Sequence, residues 1–124
     1  MAHSTQLRNY LAGAAIAAYR ITKAGAADGE VLQGAAATDF LNGINDSVAP
    51  ASGERVDIVK SGIADVEYGG NVTRGQPLTS DADGKAVAAA PAAGANVRII
   101  GFAEVSGVSG DIIPVAISLS MLQG

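Results

Sequence analysis

Cysteine and tryptophan are both absent from this sequence, and histidine occurs only once, as His3. Without cysteine the chain has no internal disulfide and no zinc–thiolate site. Its cysteine content therefore does not indicate whether the protein works in an oxidising or a reducing compartment. A single histidine near the N-terminus also excludes histidine-based catalytic triads and metal sites that need several histidines. The fold must therefore rest on packing and hydrogen bonds.

Aromatic residues are also scarce, with only three tyrosines and two phenylalanines among 124 residues. Hydrophobic residues make up 48% of the chain, but many are alanines, which bury little surface. The length suits one domain, and its core is expected to be thin and supplemented by oligomerisation. Sixteen glycines and four prolines predict many turns and few long helices.

Basic residues are few, and the formal net charge is −4. The first 26 residues hold Arg8, Arg20 and Lys23 without any acid, whereas the remainder has five bases and twelve acids. Such an acidic body does not suit nucleic acid, because phosphate contacts need clustered lysine and arginine. Two interpretations of the basic segment stay open: a solvated tail, or an arm that docks on an acidic partner.

Long apolar runs are missing as well. The longest candidate, Leu11–Tyr19, is far too short to span a bilayer and ends at Arg20. It has a weak likeness to a signal peptide, but it continues into a strand-like segment. No membrane partner is therefore expected.

The stretch from Ser52 to Tyr68 has the composition of a β-strand, and we expect the rest of the chain to be organised around it. Valine, isoleucine and tyrosine dominate its apolar positions. After Gly62 the pattern alternates, with Ala64, Val66 and Tyr68 on one face and Asp65 and Glu67 on the other. This predicts a half-buried strand with one wetted face, and Gly62 predicts a bend or bulge within it.

A shorter echo of this region lies near the C-terminus. Residues 40–54 (FLNGINDSVAPASGE) and 99–111 (IIGFAEVSGVSGD) share an order of apolar residues, glycine and a Ser-Gly-acid turn. A strand-like segment follows each turn. The repeat predicts two similar strand–turn–strand units within one compact domain.

The chain order predicts an irregular arm over residues 1–13 and a single β-rich domain over residues 14–124. Asp83-Gly84 predicts a hairpin turn, and Asn42-Gly43 a possible break in its strand. Pro77–Thr79 is expected at a sheet edge, because proline cannot donate within a central strand. The expected strands cover residues 14–23 (with a helix over 11–20 as the competing prediction), 31–37, 39–48, the central stretch 52–68, 77–79, 85–90, 97–105 and 112–122.

The last of these strands has the clearest alternation. Five apolar side chains share one of its faces: Ile113, Val115, Ile117, Leu119 and Met121. Eight or so short strands with turn signals about every ten residues indicate an all-β sandwich or small barrel.

Three motifs each resemble part of a known chemical site. Residues 70–75 have phosphate-loop glycine spacing, but Gln76 and Pro77 replace the lysine and hydroxyl that would bind phosphate and magnesium. Residues 81–84 resemble the start of a calcium loop whose later acid is missing, since position 92 is alanine. Asp65 and Glu67 lie on the same face of a predicted strand, about 7 Å apart, a spacing that paired glycosidase carboxylates can have. No aromatic residues that could stack on a sugar accompany them. We therefore predict no catalysis, metal or cofactor.

The whole pattern nevertheless resembles a known family. It comprises GAAIAAYRITK near the N-terminus, the block SGERVDIVKSGIADVEYGGNVTRGQPLTSDADGKAVAAA, and the final IIGFAEVSGVSGDIIPVAI. This order, over residues 14–119, is similar to the small capsid decoration (cement) proteins of tailed bacteriophages. The likeness is clearest from the Gly-Gly turn through RGQPLTSDADGKA, residues 69–86. The motifs of this section are turns and not catalytic signatures.

The resemblance implies a small β-barrel, β-tulip-like or sandwich domain that is made in the host cytoplasm and binds outside the expanded phage head. It implies the major capsid protein as partner, self-association as a homotrimer, and stabilisation of the head against DNA pressure. Family members often contact the capsid through an N-terminal segment, so Arg8, Tyr10 and Leu11 are the candidate contact residues. The competing interpretations are a secreted or surface carbohydrate-binding or ligand-binding β-module, and an enzyme using Asp65 and Glu67. If residues 1–13 form a free arm, deletion of residues 2–13 should change the melting temperature by only a few degrees and weaken attachment to expanded heads at least about tenfold.

Overall fold

Nine β-strands and no helix make up the computed structural model, which describes residues 6–124. In chain order the strands are β1 Gln6–Ala12, β2 Arg20–Ala24, β3 Glu30–Gln33, β4 Leu41–Asn45, β5 Arg55–Glu67, β6 Pro77–Ser80, β7 Ala86–Ala88, β8 Asn96–Ala103 and β9 Ile112–Gln123. The prediction of an all-β fold is confirmed.

Five of the strands close into a small barrel in the order β1-β3-β2-β4-β5. The antiparallel pairing of β1 with β5, from Gln6 opposite Ser61 to Leu11 opposite Arg55, closes the ring. The remaining pairs are also antiparallel, except that β1 runs parallel to β3. Buried side chains of β1, β3 and the first half of β5 form one cluster with Ile16: Tyr10, Ala12, Val31, Val56 and Ile58.

The other four strands form a second sheet with the second half of β5, in the order β5-β9-β8-β6-β7. A single parallel bridge between Tyr68 and Ala86 brings β7 back beside the end of β5. A larger apolar cluster joins this sheet to the barrel, with Ile21, Leu41 and Ile44 from the barrel and Val66, Leu78, Ile100 and Val115 from the sheet. Strand β5 therefore belongs to both halves of the molecule.

Gly62 marks the position where β5 passes from one sheet to the other. Residues up to Ser61 pair with β1, and residues from Gly62 onward pair with β9. Its φ angle of 92° lies in the left-handed region, which residues with a Cβ rarely adopt. The bend predicted at this glycine is confirmed.

The repeated strand–turn–strand units correspond to two antiparallel strand pairs, β4–β5 and β8–β9. Their turns are also alike. A carboxylate oxygen of Glu54 accepts the N–H of Ala51 at 2.7 Å, and a carboxylate oxygen of Asp111 accepts that of Val108 at 2.9 Å. Each acid thereby fixes the turn that precedes its own strand.

Four local predictions are wrong. Residues 14–19 form neither the predicted strand nor the competing helix, since β2 begins only at Arg20. Residues 6–12 are not irregular but form β1, while residues 1–5 of the predicted arm lie outside the described part of the chain. β4 is not broken at Asn42-Gly43, because Gly43 lets its backbone approach Ile58 and Val59 of β5 closely. β6 is not an edge strand, since it pairs with β7 and β8. Pro77 is tolerated as its first residue.

Candidate protein-binding surfaces

The three candidate contact residues of the predicted arm lie on β1, where they have different exposures. Tyr10 is only 5% exposed and belongs to the barrel cluster. Its hydroxyl accepts a hydrogen bond from the Lys60 ammonium at 3.0 Å, and the Arg8 guanidinium lies 4.8 Å from its ring centroid. Leu11 is half-buried and donates its N–H to Gly29. Arg8 alone remains exposed, and contact of these residues with a capsid stays a prediction.

A groove of about 700 Å³ runs beside the exposed face of β1. Leu7 and Val59 line it from the β1–β5 pair, and residues 46–50 of the loop after β4 line its other side. Leu7 is 56% exposed and Val48 is 52% exposed. We call this surface the barrel groove. Sequence patterning missed it because the groove depends on barrel closure, which brings Leu7 opposite Val59.

Carboxylates surround the apolar part of the barrel groove. Asp46, Glu54 and Asp57 line it, with Arg55 as the one cation among the lining residues. Asn9 connects two of these charges, because it donates to Asp57 at 3.1 Å and accepts from Arg55 at 2.7 Å. Burial, together with the nearby Asp65 carboxylate, raises the pKa of Asp46. The groove thus suits an apolar segment that carries positive charge.

The two carboxylates considered for catalysis have different surroundings. Asp65 is exposed, whereas both carboxylate oxygens of Glu67 contact cations. Arg20 Nη1 lies 2.8 Å from Oε1, and Lys85 Nζ lies 3.2 Å from Oε2. Burial raises the pKa of Glu67, but the Arg20 and Lys85 contacts outweigh this effect and lower it overall. Glu67 is therefore held as a carboxylate that links β2, β5 and the start of β7.

The two glycine-containing loops form ordinary turns. In residues 70–75, Val72 is buried in the larger apolar cluster, and its backbone bonds with Gly107 in both directions. No helix of the described chain follows this loop to present a phosphate site. In the β6–β7 hairpin, one Asp81 carboxylate oxygen accepts the N–H groups of Asp83 and Lys85, each at 2.9 Å. The hairpin predicted at Asp83-Gly84 is confirmed.

A second exposed apolar surface lies at the C-terminal end of β9. The predicted apolar face of β9 packs on the larger cluster through Ile113, Val115 and Ile117. Leu119 and Met121 lie beyond that cluster and are exposed, where they line a small pocket of about 250 Å³ with Phe40, Leu41 and Arg98. We call Phe40, Arg98, Leu119 and Met121 the β9 end.

The backbone of β9 is also exposed at this end. β5 pairs with β9 only from Ile112 to Ile117, while β8 continues as far as Gln123. Within residues 6–124, no second strand is paired with residues 118–123. The sequence contains a visible signal for this surface, since residues 112–124 carry no charge. Exposed uncharged strand edges are unusual, because they can pair with another chain.

Two further findings concern metals and membranes. Among residues 6–124, no group of three or more histidine, cysteine, aspartate or glutamate side chains is placed to share a metal ion. The same residues include no helix of the length and hydropathy that a bilayer crossing requires. The barrel groove and the β9 end each combine exposed apolar side chains with a surface pocket.

The architecture is a closed five-stranded barrel that shares β5 with a second antiparallel sheet. This fold is similar to that of a crystal structure, the head fiber gp8.5 N base in bacteriophage phi29, with a TM-score of 0.69. The alignment covers 98% of this chain and 100% of that chain at 21% sequence identity, so the likeness defines the fold. A scan against protein-family models and a search of the curated proteins gave no match.

Proposed function

We propose that this chain is a structural protein of a tailed-phage virion that binds the outside of the expanded head. The observation that carries the proposal is the fold likeness to a phage head fiber base, which extends over 98% of the chain. The order of motifs in the sequence, which resembles that of capsid decoration proteins, supports the same role independently of the fold.

The proposed mechanism is thermodynamic. DNA packed in a head presses outward on the capsid lattice. A protein that binds the expanded lattice, and not the immature one, adds its binding free energy to the expanded state. Many copies acting together amplify a modest individual affinity, and self-association as a trimer would add to this avidity. Such a role requires adhesive surfaces rather than a catalytic pocket.

We assign the contact with the major capsid protein to the barrel groove. Its apolar side chains, Leu7 and Val48, offer surface to bury, and the surrounding carboxylates favour a capsid segment that carries lysine or arginine. The contact therefore involves the outer face of β1 and the loop after β4. It does not require the whole N-terminal segment to fold on binding.

Co-sedimentation with undecorated expanded heads, built from the capsid protein of the same phage genome, tests this proposal. The wild-type chain should bind saturably, and Val48→Lys should weaken binding at least about tenfold because it places a charge in the apolar part of the groove. Val108→Lys is the matched control, since Val108 is 54% exposed on a different turn and should leave binding unchanged. Equal binding by both variants would exclude the barrel groove, and no binding by the wild-type chain would refute the proposed function.

A further inference from the structure

The β9 end combines three large exposed apolar side chains in one place. Phe40 is 60% exposed, Leu119 39% and Met121 55%. Each leaves a large part of its apolar side chain open to solvent, as residues at the centre of an interface do before association. The Arg98 guanidinium lies 5.0 Å from the Phe40 ring centroid, where it covers one face of the ring.

The same region offers backbone hydrogen-bonding groups. Residues 118–123 of β9 have β8 on one edge, and no strand of the described chain lies on the other. Proteins usually protect such edges with charged residues or proline, yet residues 118–123 contain neither. An edge without these features is suited to contact with another polypeptide.

We propose that the β9 end is the surface through which copies of this chain associate. This inference deepens the self-association suggested under the proposed function, on which it rests. Two copies each carry a net charge of −4 and repel one another over most orientations. Residues 112–124 carry no charge, so contact through β9 brings the copies together where this repulsion is weakest.

The chemistry of the surface favours a second copy over a charged partner. Arg98 is the one charged side chain at the β9 end, and it is already engaged with Phe40. A strongly acidic or basic partner would therefore find little countercharge there. An identical copy supplies matching apolar side chains, so that Leu119 and Met121 are buried against their own counterparts around a symmetry axis.

Sedimentation velocity over a range of protein concentrations tests the assignment. The wild-type chain should form an oligomer, and Leu119→Lys with Met121→Lys should raise its dissociation constant at least about tenfold. Val108→Lys, at 54% exposure on the turn before β9, is the matched control and should associate as the wild type does. A wild-type chain that stays monomeric up to about 1 mM overturns the proposal, as does a double variant that associates normally.

Disulfide trapping gives a second readout that requires no disruptive charge. Because the chain has no cysteine, Met121→Cys introduces a single thiol at the β9 end. Mild oxidation should yield covalently linked pairs of chains in high proportion, whereas Val108→Cys should remain largely unlinked. Equal linkage of the two variants would mean that the β9 end is not the contact.

The two proposals fail separately. If the double lysine variant is folded and monomeric but still binds heads, the result supports the proposed function and places self-association at the β9 end. A wild-type oligomer that is lost in the double variant, but that never binds heads, supports this inference and refutes the proposed function.

Discussion

At the scale of single residues, Glu67 is the one carboxylate of residues 6–124 that forms ion pairs with two cations. Its side chain is 22% exposed and lies between Arg20 at 15% and Lys85 at 26%. Removing its charge would leave Arg20 without its anionic partner in a partly buried position. Such a loss is more costly than the loss of an exposed ion pair.

We therefore predict that Glu67→Gln lowers the free energy of unfolding by about 1 kcal/mol at neutral pH. The lowered pKa of Glu67 sets the pH dependence. Its stabilising contribution is complete above the pKa of the unfolded chain, about 4.3, and disappears as the pH falls through the lower pKa of the folded chain. Urea unfolding of both proteins between pH 3 and pH 7 measures the difference. Asp65→Asn is the control at an exposed carboxylate, and a variant no less stable than this control would contradict the structural role.

At the scale of elements, β1 differs most from its predicted state. It belongs to the closed barrel, and its Tyr10 is buried among Val31, Val56 and Ile58. Deletion of residues 2–13 should therefore lower the melting temperature by more than the few degrees expected for a free arm. Losing this strand would open the barrel and expose part of its interior.

A point substitution tests the role of β1 more cleanly than a deletion. Tyr10→Ala should lower the free energy of unfolding by about 3 kcal/mol, because it empties a buried site. Leu7→Ala on the opposite face of the same strand should change it by only a few tenths of a kcal/mol, as at other exposed positions. Thermal and urea unfolding compare the two variants. Similar small effects would mean that β1 is detachable, as a free arm would be.

Sequence patterning predicted the strands whose buried faces alternate, and β5 and β9 are the clearest cases. It missed β1 because its alternation is inverted: Leu7 faces solvent, while Arg8 lies over the ring of the buried Tyr10. The closure of the barrel depends on pairs such as Leu7 with Val59, which are far apart in sequence. The pattern in β9 indicated which side chains share a face, but not that the core ends before Leu119.

At the scale of the whole molecule, the two sheets present different surfaces. The barrel carries the barrel groove, with its acidic surroundings, and the β9 end combines exposed apolar side chains with a single cation, Arg98. Because β5 belongs to both halves, one continuous strand joins the barrel to the second sheet. In the proposed virion, the groove contacts the capsid while the β9 end contacts neighbouring copies.

Cryo-electron microscopy of virions purified from the phage that encodes this chain tests its virion role most directly. The account predicts density for the five-stranded barrel and its second sheet on the outer surface of the head, with the barrel groove facing the major capsid protein. Heads of a deletion mutant lacking this gene should show the same lattice without that density. Wild-type virions that lack both the density and the chain, as judged by mass spectrometry of the same particles, would contradict the account.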